Sequence, residues 1–145
     1  LELMYCNPMG SGTDIKAALE HLNRTVKRRS IVFLVSDFQD DNYEKTLRIA
    51  TRKHDVIPVV VGDQRELEIP NVGLVELRDA ESGQIVTLDT SSRRHRALYA
   101  EHAKRVGEKR DALFTKLKMD PIHIQTGDDF VDPLRKFFHK REARR

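Results

Sequence analysis

Tryptophan is absent from the 145 residues, cysteine occurs once, and aromatic side chains make up only 6%. A lone Cys6 cannot close an internal disulfide, so it reads as a packing residue in a protein of the reducing cytosol. No apolar run approaches the roughly 18 to 20 residues that a membrane helix needs, and no charged-then-apolar leader opens the chain. A soluble, cytoplasmic domain is the expectation. A Gly-rich phosphate loop, a nucleophile elbow and a metal-spaced His pair are missing too. His21, His54, His95, His102, His123 and His139 lie scattered and read as surface or packing residues. Nor does one sign of charge dominate: 26 Lys and Arg against 23 Asp and Glu leave +3, which implies no nucleic-acid partner. Basic clusters at Arg93 to Arg96 and Arg141 to Arg145 have no interleaved aromatics on which bases could stack.

What is present suits a single globular unit, since 39% hydrophobic residues over this length can fill one core. The stretch around which the chain is organised is Ile31 to Val35, an unbroken apolar run that ends in Ser36 and the carboxylates Asp37, Asp40 and Asp41. Apolar residues without alternation predict a strand of a parallel sheet, covered on both faces. In open α/β sheets the carboxyl ends of strands border the crevice where ligands bind, which makes these acids the first candidates for a site. The competing reading is that they cap the next helix.

Before this run, Leu1 to Met9 reads as the tail of a helix entering a loop. A helix follows with Ile15, Ala18, Leu19, Leu22 and Val26 on one face, Thr13 as its N-cap and Lys27 to Arg29 at its negative end. After it, Asn42 to His54 predicts a second amphipathic helix, with Tyr43, Leu47 and Ala50 on one face, and Val56 to Gly62 a second buried strand ending at Asp63. Strand, helix, strand is a βαβ unit, so both acidic strand ends should share one edge of the sheet.

The segments 72–78 and 84–89 alternate about a turn at Asp79 to Gly83, predicting a hairpin set as a lid or an edge addition. Thr90 to Ser92 caps a long helix with an interrupted stripe of Leu98, His102, Val106, Leu113 and Leu117. Pro121 to Thr126 predicts a third strand, again followed by acids at Asp128 and Asp129. Phe130, Leu134, Phe137 and Phe138 predict the apolar face of a last helix. The expectation is one α/β domain over 1–145, a parallel sheet with a hairpin insertion at about 72–89.

Taken together, Gly12 to Ile15, Ala18-Leu19, Arg28 to Phe38, Val59 to Asp63, Glu68 to Pro70, Asp79 to Gly83 and Thr126 to Asp129 resemble the second half of a von Willebrand factor type A-like domain. More narrowly, the chain resembles family 58 of domains of unknown function, bacterial proteins often encoded beside MoxR-type AAA+ ATPases. The resemblance implies a partial type A, Rossmann-like, three-layer fold. It implies that Thr13 and Asp37 match two positions of a metal-ion-dependent adhesion site, whose hydroxyl and carboxylate oxygens suit Mg²⁺. The Asp-x-Ser-x-Ser loop that completes such a site does not occur in these residues. These residues alone are therefore expected to be metal-free, with Mg²⁺ reserved for an intact domain whose upstream half would be missing here. In the type A order that half would place a strand beside Ser30 to Asp37, so this edge is expected to pair with a second copy or to be covered by Leu1 to Cys6.

The first functional expectation is a non-enzymatic protein-interaction module, docking a partner on Asp37, Asp40, Asp41 and Asp63, with a MoxR-type ATPase as the partner that the resemblance implies. The alternative is a metal-assisted hydrolase or phosphotransfer domain that uses the same carboxylates. Against it stands Ser36 beside Asp37, since neighbours on a strand point to opposite faces, poor geometry for a nucleophile and its base. Nucleic-acid binding ranks last.

Overall fold

The computed structural model describes residues 13–63, 68–78 and 85–143. The expectations for Leu1 to Met9, Cys6, the hairpin turn and Arg144-Arg145 lie outside the described residues. β1 (Ile31–Ser36), β2 (Asp55–Gly62) and β5 (Ile122–Gln125) form a parallel sheet in the order β1-β2-β5. Val35 lies beside Val59, which lies beside Ile122. The helices are α1 (Ile15–Thr25), α2 (Glu44–Lys53), α3 (Arg93–Lys116) and α4 (Val131–Glu142). This is a partial Rossmann-like α/β fold.

The pleat of β2 explains the layering. Val56 and Val60 turn to one side, where they join Ile15 and Leu19 of α1, Tyr43, Leu47 and Ala50 of α2, and Phe114 of α3. Ile57 and Val59 turn to the other, against Ile122 and Phe137 of α4. Each fully buried aliphatic or aromatic side chain contributes about 1.5–3 kcal/mol, so β2, serving both clusters, is the strand that holds the layers together. Pro58 interrupts it without loss to the β5 ladder, because pairing with β5 begins one residue later at Val59.

β1 departs from expectation. Its residues are not covered on both faces: Ile31, Phe33 and Val35 are 61%, 45% and 61% exposed, while Val32 and Leu34 pack on the α1–α2 side. The reason is position, since α4 packs over β2 and β5 and meets β1 at the side through Phe138, whose ring meets Phe33 edge-on at 6.3 Å. The last helix is likewise less covered than its pattern suggests. Phe137 is buried, but Phe130 and Phe138 are exposed.

The hairpin forms from β3 (Leu74–Arg78) and β4 (Ile85–Asp89), antiparallel with Val75 opposite Leu88. It is a separate two-stranded sheet, not an addition to the edge of the parallel one. Its anchor is Thr90, fully buried, whose hydroxyl donates to the Gly73 carbonyl and accepts from Val72 N. Ser92 caps α3 as expected, accepting from His95 N. Among the described residues, Leu113, Phe114 and Leu117 at and just beyond its carboxyl end join the core, and Leu98 of the expected stripe is exposed. Among the described residues no helix is long and apolar enough to cross a membrane.

Candidate functional site at the carboxyl ends of the strands

Parallel strands deliver their carboxyl ends to one edge of the sheet, and there a cleft of about 460 Å³ opens between β1, β2 and the end of β5. Thr13, Ser36, Asp37, Gly62, Asp63 and Thr126 are among the residues lining it. Asp37 and Asp63 therefore converge as the βαβ reading requires. Gly62 is held to the third strand end by its carbonyl, which accepts from both the backbone N–H and the hydroxyl of Thr126.

Asp37 is held by a tight local turn. Its Oδ1 accepts from Gln39 N at 3.2 Å and from the Ser36 hydroxyl at 3.3 Å, and Ser36 Oγ in turn accepts from Phe38 N at 3.0 Å. Ser36 and Asp37 thus contact each other, contrary to the strand-based expectation, because the chain leaves extended geometry at that point. The turn is completed by Phe38 at φ +59°, a left-handed conformation that costs an L-residue roughly 1–2 kcal/mol. Burial of its ring against Phe114 at 5.1 Å and Tyr43 at 6.0 Å offsets the strain. No residue of that turn carries a glycine signal, so Phe38 could not be singled out from sequence.

The other candidates sit elsewhere. Thr13 borders the cleft but does not cap α1. Asp14 takes that place, accepting from Ala17 N at 2.7 Å, because its carboxylate is the stronger acceptor of the two. Asp40 reaches back 25 residues and accepts from Ile15 N at 2.7 Å, so it caps α1 and not the next helix, whose own N-cap position, Tyr43, makes no capping bond. Asp41 is exposed, 3.6 Å from Lys109, a pairing of little energetic weight. Asp40 and Asp41 belong to the surroundings of Tyr43: burial raises its hydroxyl above the ordinary value, Arg110 opposes the shift, and the two carboxylates add to it.

Hydroxyl and carboxylate oxygens of Thr13, Ser36, Asp37 and Asp63 have the hard-donor chemistry that Mg²⁺ takes. Yet among the described residues no three His, Cys, Asp or Glu side chains come together to hold a metal ion.

The basic clusters are partly structural. Arg96 donates to the carbonyls of Thr90 and Ser91, the His95 ring meets the Asp89 carbonyl, and Arg141 pairs with Asp55 at 2.5 Å, tying α4 to the start of β2. Near that pair a smaller cavity of about 170 Å³ is bordered by Arg29, Asp55 and Lys118. His54 is 2% exposed with neither ring nitrogen hydrogen-bonded among the described residues, a packing histidine as expected.

These features define a class, a Rossmann-like α/β domain with an open, acid-bearing cleft at the carboxyl ends of its parallel strands. The family model described as protein of unknown function DUF58 matches residues 1–109, and the chain belongs to that family. It is 38% identical over 79 residues to the uncharacterized protein Mb1516 of Mycobacterium bovis and, to the same degree, to the uncharacterized protein Rv1480 of Mycobacterium tuberculosis. Each match covers 54% of this chain and 25% of the relative. The uncharacterized protein MAV169 of Mycobacterium avium is 35% identical over 77 residues, covering 52% of this chain and 46% of the relative. The matched segments thus span from about a quarter to just under half of the relatives' length. No solved structure matches the chain.

Proposed function

We propose that this chain is a protein-binding module that acts by docking, without catalysis of its own. The observation that carries the reading is the convergence of Asp37 and Asp63 in one open cleft, with Thr13 and Thr126 as hydroxyl donors beside them. Two carboxylates held at the rim of a concave, solvent-open surface suit a basic side chain of a partner, and charge complementarity of this kind governs encounter rate and partner choice. The type A-like resemblance supports the same face as the docking face, and the partner it suggests is a MoxR-type AAA+ ATPase of the cytoplasm. In an intact type A-like domain, Thr13 and Asp37 would take part in a Mg²⁺-bridged contact, which remains part of the proposal.

The test is calorimetric titration of a purified MoxR-type ATPase into the chain, with and without Mg²⁺, beside an Asp37→Asn/Asp63→Asn double variant. Removing the two charges should weaken binding by about tenfold or more, given the 2–5 kcal/mol that loss of a buried, hydrogen-bonded charge pair costs at interfaces. Equal affinity of the double variant, or no binding by either protein, would sink the reading. Mg²⁺-dependent turnover of a phosphate-ester probe, lost in the same variant, would replace it with hydrolysis.

A further inference from the structure

We propose that the cavity of about 170 Å³ at the amino ends of the strands is a binding site for a phosphate group. It lies at the opposite end of the sheet from the acidic cleft and shares no lining residue with it. Segments far apart in the chain build it: Arg29 ahead of β1, His54 and Asp55 where α2 meets β2, Lys118 and Asp120 between α3 and β5, and Arg141 of α4. The cavity is thus centred on the start of β2, the middle strand, and not on the outer edge of β1.

Charge selects the ligand. Both carboxylates of the wall are already answered, Asp55 by Arg141 at 2.5 Å and Asp120 by Lys140 at 3.3 Å. Arg29 and Lys118 make no ion pair among the described residues, so two cations are in surplus there. A guanidinium meets two phosphate oxygens at once, and an ammonium adds a point charge. Arg141 is held as well by the Phe137 ring, with its guanidinium carbon 5.4 Å from the ring centroid. One water takes about 30 Å³ of liquid volume, so the cavity has room for a phosphate ion and little more.

The backbone at Lys118 points the same way. Lys118 N donates to the Thr115 carbonyl at 3.0 Å and Met119 N to the Phe114 carbonyl at 2.9 Å, which closes α3 with Lys118 at φ +56°. Glycine is the usual occupant of that place, because an L side chain is strained there. A lysine in its stead keeps a charge at the cavity at the expense of the helix end, and strain of this kind gathers at binding sites. His54 adds a third observation. Packing alone leaves both of its buried ring nitrogens without a hydrogen-bond partner among the described residues, and an oxyanion in the cavity it borders is the kind of acceptor its N–H lacks.

Calorimetric titration of inorganic phosphate into the 145-residue chain, at an ionic strength held constant with NaCl, should give one site with a Kd of about 1 mM or tighter. Phenyl phosphate in a parallel titration separates the sources of the group: equal or tighter binding assigns the site to a phosphomonoester, weaker binding to the free ion. Arg29→Ala should weaken binding by about tenfold, and Arg29→Lys, which keeps the charge without the fork, should restore only part of it. Lys118→Gly should weaken binding severalfold and yet raise the melting temperature, since glycine relieves the left-handed strain. A purely structural lysine would not separate those two readouts. Lys104→Ala, at an exposed position on α3, should leave the affinity unchanged. Circular dichroism confirms that each variant is folded. A titration without saturable heat overturns the proposal, and so does phosphate binding that Arg29→Ala and Lys118→Gly leave intact.

Discussion

As sequence, Ile31–Val35 and Val56–Val61 are nearly interchangeable, two unbroken apolar runs each followed by an acid. In the folded chain they are opposites. Every residue from Val56 to Val60 is buried, whereas alternate residues of β1 are 45% to 61% exposed. β2 has a strand on each side and helices on both faces; β1 has one paired edge and one covered face among the described residues. The difference teaches that an apolar run states a demand for cover. How far the demand is met depends on which neighbours the topology supplies.

Substitution can break the comparison at its strongest point. Ile57→Ala, in the doubly covered strand, should lower the unfolding free energy by about 2–5 kcal/mol, because a cavity opens where neighbours cannot collapse. Val35→Thr, on the exposed face of β1, should change it by only about 0.5 kcal/mol in the same urea titration. Equal losses at the two sites would mean that β1 is covered in solution. His54, which leads into β2, sharpens the point: His54→Phe removes two buried nitrogens that have no partner among the described residues and should leave stability unchanged or raise it by about 1 kcal/mol. A thermal melt showing a large loss would reveal that those nitrogens are satisfied.

The smallest effect is electrostatic and lies at the rim of the better-packed cluster. Glu44 of α2 is held below its ordinary value, first by the hydrogen bond from Lys116 of α3 and next by that from Arg48. A carboxylate whose folded value is depressed stabilises the fold above its unfolded value, and that contribution disappears as pH falls through the folded one. The chain should therefore lose a little stability on acidification from about pH 5 to 3, and Glu44→Gln should flatten that part of the profile. An unchanged profile would show that the α2–α3 contact carries no charge-dependent stability.

Much of the site was legible before any coordinates. The convergence of Asp37 and Asp63 follows from two parallel strands joined by a helix, because the crossover leaves no other placement for their ends. Asp40 was not legible, since its partner, Ile15 N, lies 25 residues back, and capping at that range follows from packing and not from local pattern. The same holds for Phe38. Nothing about a phenylalanine announces a left-handed turn, and only the pocket formed with Tyr43 and Phe114 makes that conformation tolerable. The apolar stripes of α3 and α4 overstated cover because periodicity reports which side of a helix is apolar, whatever lies opposite: Leu98 and Phe130 face no core.

By itself, then, the sequence determined the class of fold, the order of elements and the end of the sheet at which polar groups gather. All of these rest on local periodicity and the handedness of short connections, which the chain carries in every segment. Only the tertiary structure decided which apolar strand became the hub, which acids became caps and which stayed at the cleft, and how much of β1 remained uncovered. Those outcomes depend on contacts between residues far apart in the chain, and such contacts exist only once the layers have packed.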